Sequence, residues 1–301
     1  MGAAAPGNAD QVEFWNGEVG QRWARNQDRM DRAFRPFTTT LIERAAPRQG
    51  ERVIDVGCGC GDLSLALADR LGAEGRVLAV DVSRPMLDQG RSRQQASNTA
   101  GRAAIDWQEA DAAAWRFPAA TFDLLISRFG VMFFGDPVAA FQNMRNALRP
   151  GGRLAMLCWR PVRDNAWVAV PRAALLQVVP APEAPPPDAP GPFAFADAAR
   201  VGAILAQAGF SNIASVAIDA ALDSSSAPGG TDEAALEDAV EFAAGFGPAS
   251  ALLRDVDEPT RERAIAAVRD ALRQRAGGAR PSLDAACWLF TAENPAIGHR
   301  P

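Results

Sequence analysis

The stretch that most constrains this chain is Arg52–Gly61, which reads Arg-Val-Ile-Asp-Val-Gly-Cys-Gly-Cys-Gly. Val53 to Val56 is a short run rich in β-branched residues, the composition of a buried strand. Three glycines follow at alternate positions, Gly57, Gly59 and Gly61. A helical pattern then begins at once, with Leu63, Leu67 and Leu71 on one face. Strand, glycine turn and helix in immediate succession bring backbone N–H groups close to a ligand, where a Cβ would be in the way. An acid sits inside the strand end: Asp55 lies two residues before the first glycine. A dinucleotide fingerprint spaces its glycines G-x-G-x-x-G, whereas this run is G-x-G-x-G behind Asp. Taken alone, it is also compatible with any βα turn of a doubly wound sheet.

Along the chain, strand-like and helix-like segments alternate. Phe14–Phe37 reads as one or two helices ahead of the core, with Trp23, Met30 and Phe34 at helical spacing. Arg22, Arg25, Arg29 and Arg32 form a second, basic stripe. The i,i+4 pairs Asp28–Arg32 and Asp31–Arg35 make that stripe a solvated, ion-paired face, with anion binding as the alternative. Pro36 and then Leu41–Ala46 lead into the first strand. Gly75–Val82 is the second strand and ends at Asp81, the position where sheets of this kind grip a ribose diol. Ser83 is placed to N-cap the helix through Met86 and Leu87. Ala103–Gln108 and Phe122–Ser127 are strands three and four. Asp136 and Pro137 open a helix as N-cap and first residue, and Pro150-Gly151-Gly152 turns it into strand five, Arg153–Trp159. The alternation predicts a parallel sheet with right-handed crossovers.

Beyond strand five the expected elements are a helix over Trp167–Val179, an exposed proline-rich loop over Pro180–Pro192 and a helix over Asp197–Ala208 closed by Gly209. A strand over Ile213–Leu222 and a turn over Asp223–Gly230 follow. Helices are expected over Glu233–Phe246 and Glu258–Gln274, a break over Gly277–Pro281, and a last strand over Ala285–Thr291. The roughly sixty residues between the last two strands exceed a normal loop and read as an inserted helical cap. The organisation expected is an N-terminal helical lid (1–40), a core (41–222 and 284–295) and a cap (223–283).

Four stretches carry a family resemblance: Asp55-Val-Gly-Cys-Gly-Cys-Gly61, Glu109-Ala110-Asp111-Ala112, Ser127-Arg-Phe-Gly-Val-Met-Phe-Phe134 and the helix–Pro-Gly-Gly–strand run. Spanning Glu51 to Trp159, they resemble the class I S-adenosylmethionine (SAM)-dependent methyltransferases. The likeness is to the small-molecule group related to the ubiquinone-biosynthesis C-methyltransferases, methyltransferase type 11/25-like. The resemblance implies an α/β fold: a Rossmann-like, doubly wound, seven-stranded sheet of order 3-2-1-4-5-7-6 with the last strand antiparallel. It implies SAM as cofactor and S-adenosylhomocysteine as product. In that family the glycine turn lies against the methionine part of the cofactor, so Gly57, Cys58, Gly59 and Gly61 are assigned to it. Asp55 is placed to accept from the cofactor's ammonium group, directly or through water. Asp81 would bind the ribose hydroxyls by charge-assisted bonds. Met86 would cover an adenine face, and Asp111 would contact the adenine amino group. Val82, Ala112 and Trp23 join the cofactor set, and Ser127 and Arg128 border the sulfonium position. The substrate space is expected to take Trp15, Phe129, Phe133, Trp159 and Trp167, although an aromatic alone is more often core than pocket. Arg128, Arg160 and Arg163 are candidates for an anionic group, with Arg163 reading as solvated.

Composition narrows the chemistry further. With 301 residues, 48% hydrophobic and 22% charged, the chain reads as a soluble globular protein of one large or two small domains. A net charge of −5 and no basic tail give no nucleic-acid footprint. No apolar run is long enough to span a bilayer. Met1–Asp10 lacks the pattern of a secretory signal and reads as a frayed end. Cys58, Cys60, Cys158 and Cys287 have neither disulfide nor zinc spacing, so reduced thiols, a cytoplasmic location and no metal are expected. A monomer or homodimer with a small-molecule substrate is expected. All 31 basic residues are Arg, there is no Tyr, and the single His is His299 in the tail. A Ser-His-Asp triad, a His-based metal centre and a lysine Schiff base are thus disfavoured. A nicotinamide oxidoreductase would want G-x-G-x-x-G and a proton-transfer Tyr, Lys or His. A SAM-binding sensor or partner subunit remains open. No catalytic residue stands out, so C-, O- or N-methylation by proximity and desolvation is the expected mechanism.

Overall fold

The computed structural model describes residues 8–97, 99–183, 186, 189–224, 231–277, 281 and 283–296. The expected runs become strands β1 (Arg52–Val56), β2 (Arg76–Asp81), β3 (Ala104–Glu109), β4 (Phe122–Arg128), β5 (Leu148–Trp159), β6 (Ser211–Leu222) and β7 (Leu283–Glu293). They form one seven-stranded sheet in the order β3-β2-β1-β4-β5-β7-β6. The first five strands pair in parallel, while β7 runs antiparallel to both β5 and β6. This is the order and the final antiparallel pairing that the motifs imply. The central strands are covered on both faces, which is why they read as continuous apolar runs. Val53, Ile54, Leu124, Leu125 and Ile126 are fully buried.

Parallel strands need long crossovers. Helices α4 (Asp62–Leu71), α5 (Arg84–Ala96) and α6 (Pro137–Ala147) supply three of them, preceded in the chain by α1 (Ala9–Asn16), α2 (Glu18–Arg25) and α3 (Gln27–Ala45). The Asp136 carboxylate accepts from Ala139 N at 3.0 Å, the cap its sequence position predicts. After β5 come α7 (Ala166–Leu175) and α8 (Ala198–Gln207). Between β6 and β7 lie α9 (Asp232–Gly245), α10 (Gly247–Ser250) and α11 (Glu258–Ala276). α11 packs on α7 and α9.

Several details differ from the sequence reading. The helical stretch expected to end at Phe37 continues as α3 to Ala45, with Pro36 inside it, so residue 40 falls inside a helix. Phe34, Phe37 and Leu41 are buried on its inner face, and their burial outweighs the one hydrogen bond a proline removes. Asp10, expected in a frayed end, belongs to α1. Ser83 does not cap α5 with its side chain; its Oγ donates to the Trp15 carbonyl at 2.7 Å. β5 begins at Leu148, opposite Phe122, with the Pro-Gly-Gly turn absorbed as an irregularity in the ladder. Asp31 pairs with Arg93 at 2.6 Å. Arg29, expected in the solvated stripe, is buried and joins α3 to α9, bonding Glu241 at 3.0 Å and lying over the Phe242 ring. The tail residue His299 and most of the Asp223–Gly230 turn lie outside the described residues.

Candidate functional site

The glycine turn is shaped by two close approaches. Gly57 has φ +68, and a Cβ there would lie 2.5 Å from Gly130 Cα, so the ends of β1 and β4 meet backbone to backbone. Gly61 has φ +81 at the start of α4, and a Cβ there would lie 2.3 Å from the Trp107 ring. The N–H groups of Gly57 and Cys58 both donate to Val80 O, at 2.8 and 3.1 Å, which ties the turn to β2. Asp81, at the tip of β2, accepts from Gly59 N and Ser83 N, each at 2.8 Å. A carboxylate oxygen has two lone pairs, so both oxygens keep acceptor capacity toward a ligand. Burial raises the Asp81 pKa above the ordinary carboxylate value.

A cavity of about 1010 Å³ opens over these strand ends. One wall is formed by Gly57, Cys58, Gly59, Asp81, Val82, Met86, Asp111 and Ala112, all expected in the cofactor set. Asp111 is buried and its Oδ1 accepts from Ala113 N at 2.9 Å. The other wall carries Trp15, Trp23, Phe129, Phe133, Trp159 and Trp167. Phe129 stacks on Trp159 with ring centroids 3.9 Å apart and planes 7° apart, and Trp167 sits 5.0 Å from Trp159. Trp15 meets Phe133 edge-on at 5.5 Å. Arg128 also lines the cavity, with its guanidinium bonded to Thr38 Oγ1 and Asp62 Oδ2 and set over the Phe34 ring.

Three expected cofactor residues stand behind this surface. Asp55 is fully buried beneath the turn, with Oδ2 accepting from Ser64 Oγ at 2.5 Å and Oδ1 without a partner among the described residues. Its burial pushes the carboxyl up to about 7. Gly61 packs on Trp107 as described. Ser127 donates to Val56 O at 2.7 Å and accepts from Gly130 N at 3.2 Å, so it fastens the β1 and β4 ends. Arg160 is also away from the cavity, paired with Asp164 and Asp219 at 2.9 and 2.8 Å, and Arg163 is exposed. The thiols of Cys58 and Cys60 are pushed up by burial, Cys60 to about 12, so both stay protonated at neutral pH.

The sequence reading missed other wall residues. Asp62 follows the last glycine directly, and its place in the first helical turn was an available signal. Asp31, bonded to Gln27 and Arg93, has its carboxyl raised to about 6 by burial and by the neighbouring Asp62. Phe242, Phe246, Arg254 and Arg261 come from the segment between β6 and β7, which was expected to help close the substrate space, although nothing in the sequence singled out these four residues. The N-terminal helices also line the space. Asn16 Nδ2 donates to Val82 O at 2.8 Å, and Arg22 donates to Gly245 O at 3.0 Å, bridging α2 to the far side.

The sheet order and the glycine turn after β1, with Asp81 at the tip of β2 and Asp111 after β3, fit the methyltransferase resemblance read from the sequence. Residues 53–152 match the family described as a methyltransferase domain. The ubiquinone/menaquinone biosynthesis C-methyltransferase UbiE of Ruegeria sp. (strain TM1040) is 36% identical over 123 residues, covering 41% of this chain and 48% of that protein. Aklanonic acid methyltransferase DauC of Streptomyces sp. (strain C5) is 31% identical over 149 residues, covering 48% of this chain and 66% of DauC. The chain thus spans about half to two thirds of the length of these curated relatives. The solved [4+2]-cyclase SpnF has a TM-score of 0.51 and 19% identity over 87% of this chain and 81% of that one, a likeness of fold alone. Residues 53–152 are thus a methyltransferase domain, similar to that of the ubiquinone/menaquinone C-methyltransferases.

Proposed function

We propose that this protein transfers a methyl group from SAM to a small, partly apolar acceptor, leaving S-adenosylhomocysteine. The observation that carries the reading is one cavity with two chemically different walls: polar strand ends with Asp81 and Asp111 on one side, stacked aromatics on the other. The first wall fits the cofactor. Gly57 and Gly59 offer backbone without side chains, the Asp81 oxygens retain lone pairs for a diol, and Met86 flanks Gly59.

SAM, when bound, would supply a methyl activated on a sulfonium, with the neutral thioether of S-adenosylhomocysteine as the leaving group. The chain's own task is alignment and exclusion of water. Phe129, Trp159 and Trp167 are fixed against each other and would hold an acceptor by apolar contact. α1 and α2 cover the opening through Asn16, Ser83 and Arg22. The inner carboxylates are already engaged: Asp31 with Gln27 and Arg93, Asp62 with Thr38 and Arg128, Asp81 with two backbone N–H groups. This supports catalysis by proximity and desolvation on an acceptor that is already nucleophilic. The pH dependence of kcat/KM is then expected to follow the acceptor's own ionisation. Two acceptors giving one shared inflection, abolished by Asp31→Asn, would show a dedicated base instead.

The binding test is calorimetry with SAM, S-adenosylhomocysteine and NAD. The first two are expected to bind and the third not; saturable NAD binding with no SAM heat would end the methyltransferase reading. Turnover of SAM with extract metabolites, followed by mass analysis for a gained methyl, separates an enzyme from a SAM-binding sensor.

A further inference from the structure

The charges around the cavity are unevenly distributed. Four acids, Asp31, Asp62, Asp81 and Asp111, line the half formed by the strand ends and α3. The segment between β6 and β7 contributes no acid to the wall, only apolar or small residues and the arginines Arg254 and Arg261. Arg261 is held in place by donating to the Leu253 carbonyl, and its carboxylate neighbour Glu258 is 3.8 Å away and exposed. Arg254 has no acidic partner among the described residues. Arg22 lies on the same side but is engaged by Gly245 O and, at 3.5 Å, by Glu18. The remaining acids of the wall, Asp10 and Glu18, belong to α1 and α2.

SAM carries a net positive charge, which suits the acidic half. At the other half Arg254 has no acidic partner among the described residues and Arg261 has only the exposed Glu258 at 3.8 Å, and both line the same cavity as the aromatic rings. Guanidinium is the side chain best shaped to hold a carboxylate or a similar planar anion. Resting on the methyltransferase reading above, we infer that the methyl acceptor is a flat, anionic molecule. Its ring system lies along Phe129, Trp159 and Phe242, and its acidic group is read by Arg254 and Arg261. These two arginines set specificity and do not touch the reacting atoms.

The test uses two fluorescent probes of equal shape, anthracene-9-carboxylate and anthracene-9-carboxamide. Each is titrated into the full chain saturated with S-adenosylhomocysteine. The carboxylate is expected to bind about tenfold or more tightly than the carboxamide, with the gap shrinking in high salt. Arg254→Gln, at an exposed side chain that makes no structural bond, is expected to narrow the gap while leaving the unfolding temperature unchanged. The Arg254→Gln/Arg261→Gln pair is expected to abolish it, with carboxamide binding and S-adenosylhomocysteine affinity preserved. Equal affinity of the two probes, binding of neither, or a preference that survives the double substitution would overturn the inference while S-adenosylhomocysteine still binds. Loss of S-adenosylhomocysteine binding in the wild type would instead overturn the cofactor reading, and this inference with it.

Discussion

Asp55→Asn separates a buried structural acid from a cofactor ligand. The Asp55 carboxyl is held at about 7, against an ordinary 3.8, chiefly because burial penalises its charged form. The folded pKa of this acid is raised, so folding favours the neutral form. Its stabilisation is complete below pH 3.8, declines as the pH rises and is lost by the time the pH has passed through 7. About three pKa units correspond to roughly 4 kcal/mol over the whole window, and ~2–3 kcal/mol of that falls between pH 5 and pH 8. Asparagine keeps an acceptor for Ser64 Oγ but places an amide N–H where Oδ1 now lacks a partner, a pH-independent cost of about 1–3 kcal/mol. The variant is therefore expected to gain about 2–3 kcal/mol on the wild type between pH 5 and pH 8, and to be the more stable of the two at pH 8. Urea unfolding followed by tryptophan fluorescence at both pH values measures this, provided the m-values agree. Because Asp55 does not line the cavity, S-adenosylhomocysteine affinity is expected to stay within about threefold. A stability difference that does not move with pH would refute the burial argument. A hundredfold loss of affinity in a normally folded variant would return Asp55 to the cofactor.

Asp81→Ala is expected to weaken S-adenosylhomocysteine binding by roughly 2–3 kcal/mol in calorimetry, since a desolvated acceptor is removed and Gly59 N loses its partner. An unchanged dissociation constant with normal unfolding would place the ribose elsewhere. Amides of α1 and α2 are expected to exchange more slowly with S-adenosylhomocysteine present, because their contacts to Val82 and Ser83 lie at the cavity edge; equal protection in both states counts against a closing lid. Gly57→Ala is expected to cost about 2 kcal/mol or more, from the clash with Gly130 and the positive φ, seen as a lowered unfolding temperature. A wild-type melting curve would show that the β1 and β4 ends can part freely.

The sheet was legible because its determinants are local. Val53–Val56 and Phe122–Ser127 announce buried strands, and the glycine turn and Pro-Gly-Gly fix where helices begin and stop. Which face an acid serves was not legible. Asp55 and Asp81 both sit near strand ends, but Asp55 turns to Ser64 beneath the turn while Asp81 stays at the cavity. Side-chain alternation along a strand is visible in sequence, but the identity of the covered face depends on what packs there. The extent of α3 was misread for a related reason: the local penalty of Pro36 is readable, the buried face of Phe34, Phe37 and Leu41 that overrides it is not. Arg29 looked solvated because its partners, Glu241 and Phe242, are some two hundred residues away. Arg254 and Arg261 were silent for the same cause.

The ladder between β6 and β7 has one further consequence. Its last pair is Leu222 opposite Leu283, so the chain leaves the sheet and re-enters it at facing positions. Everything between could be exchanged for a tight hairpin turn without altering the register of either strand. The glycine turn belongs to a different part of the chain, whereas Arg29 of α3 and Trp167 of α7, which meet α9, would need new partners. A lineage carrying this architecture can therefore trade one set of cavity-lining helices for another while the strand-end side of the cavity is kept. The same junction gives the protein engineer a natural grafting point for altering acceptor choice.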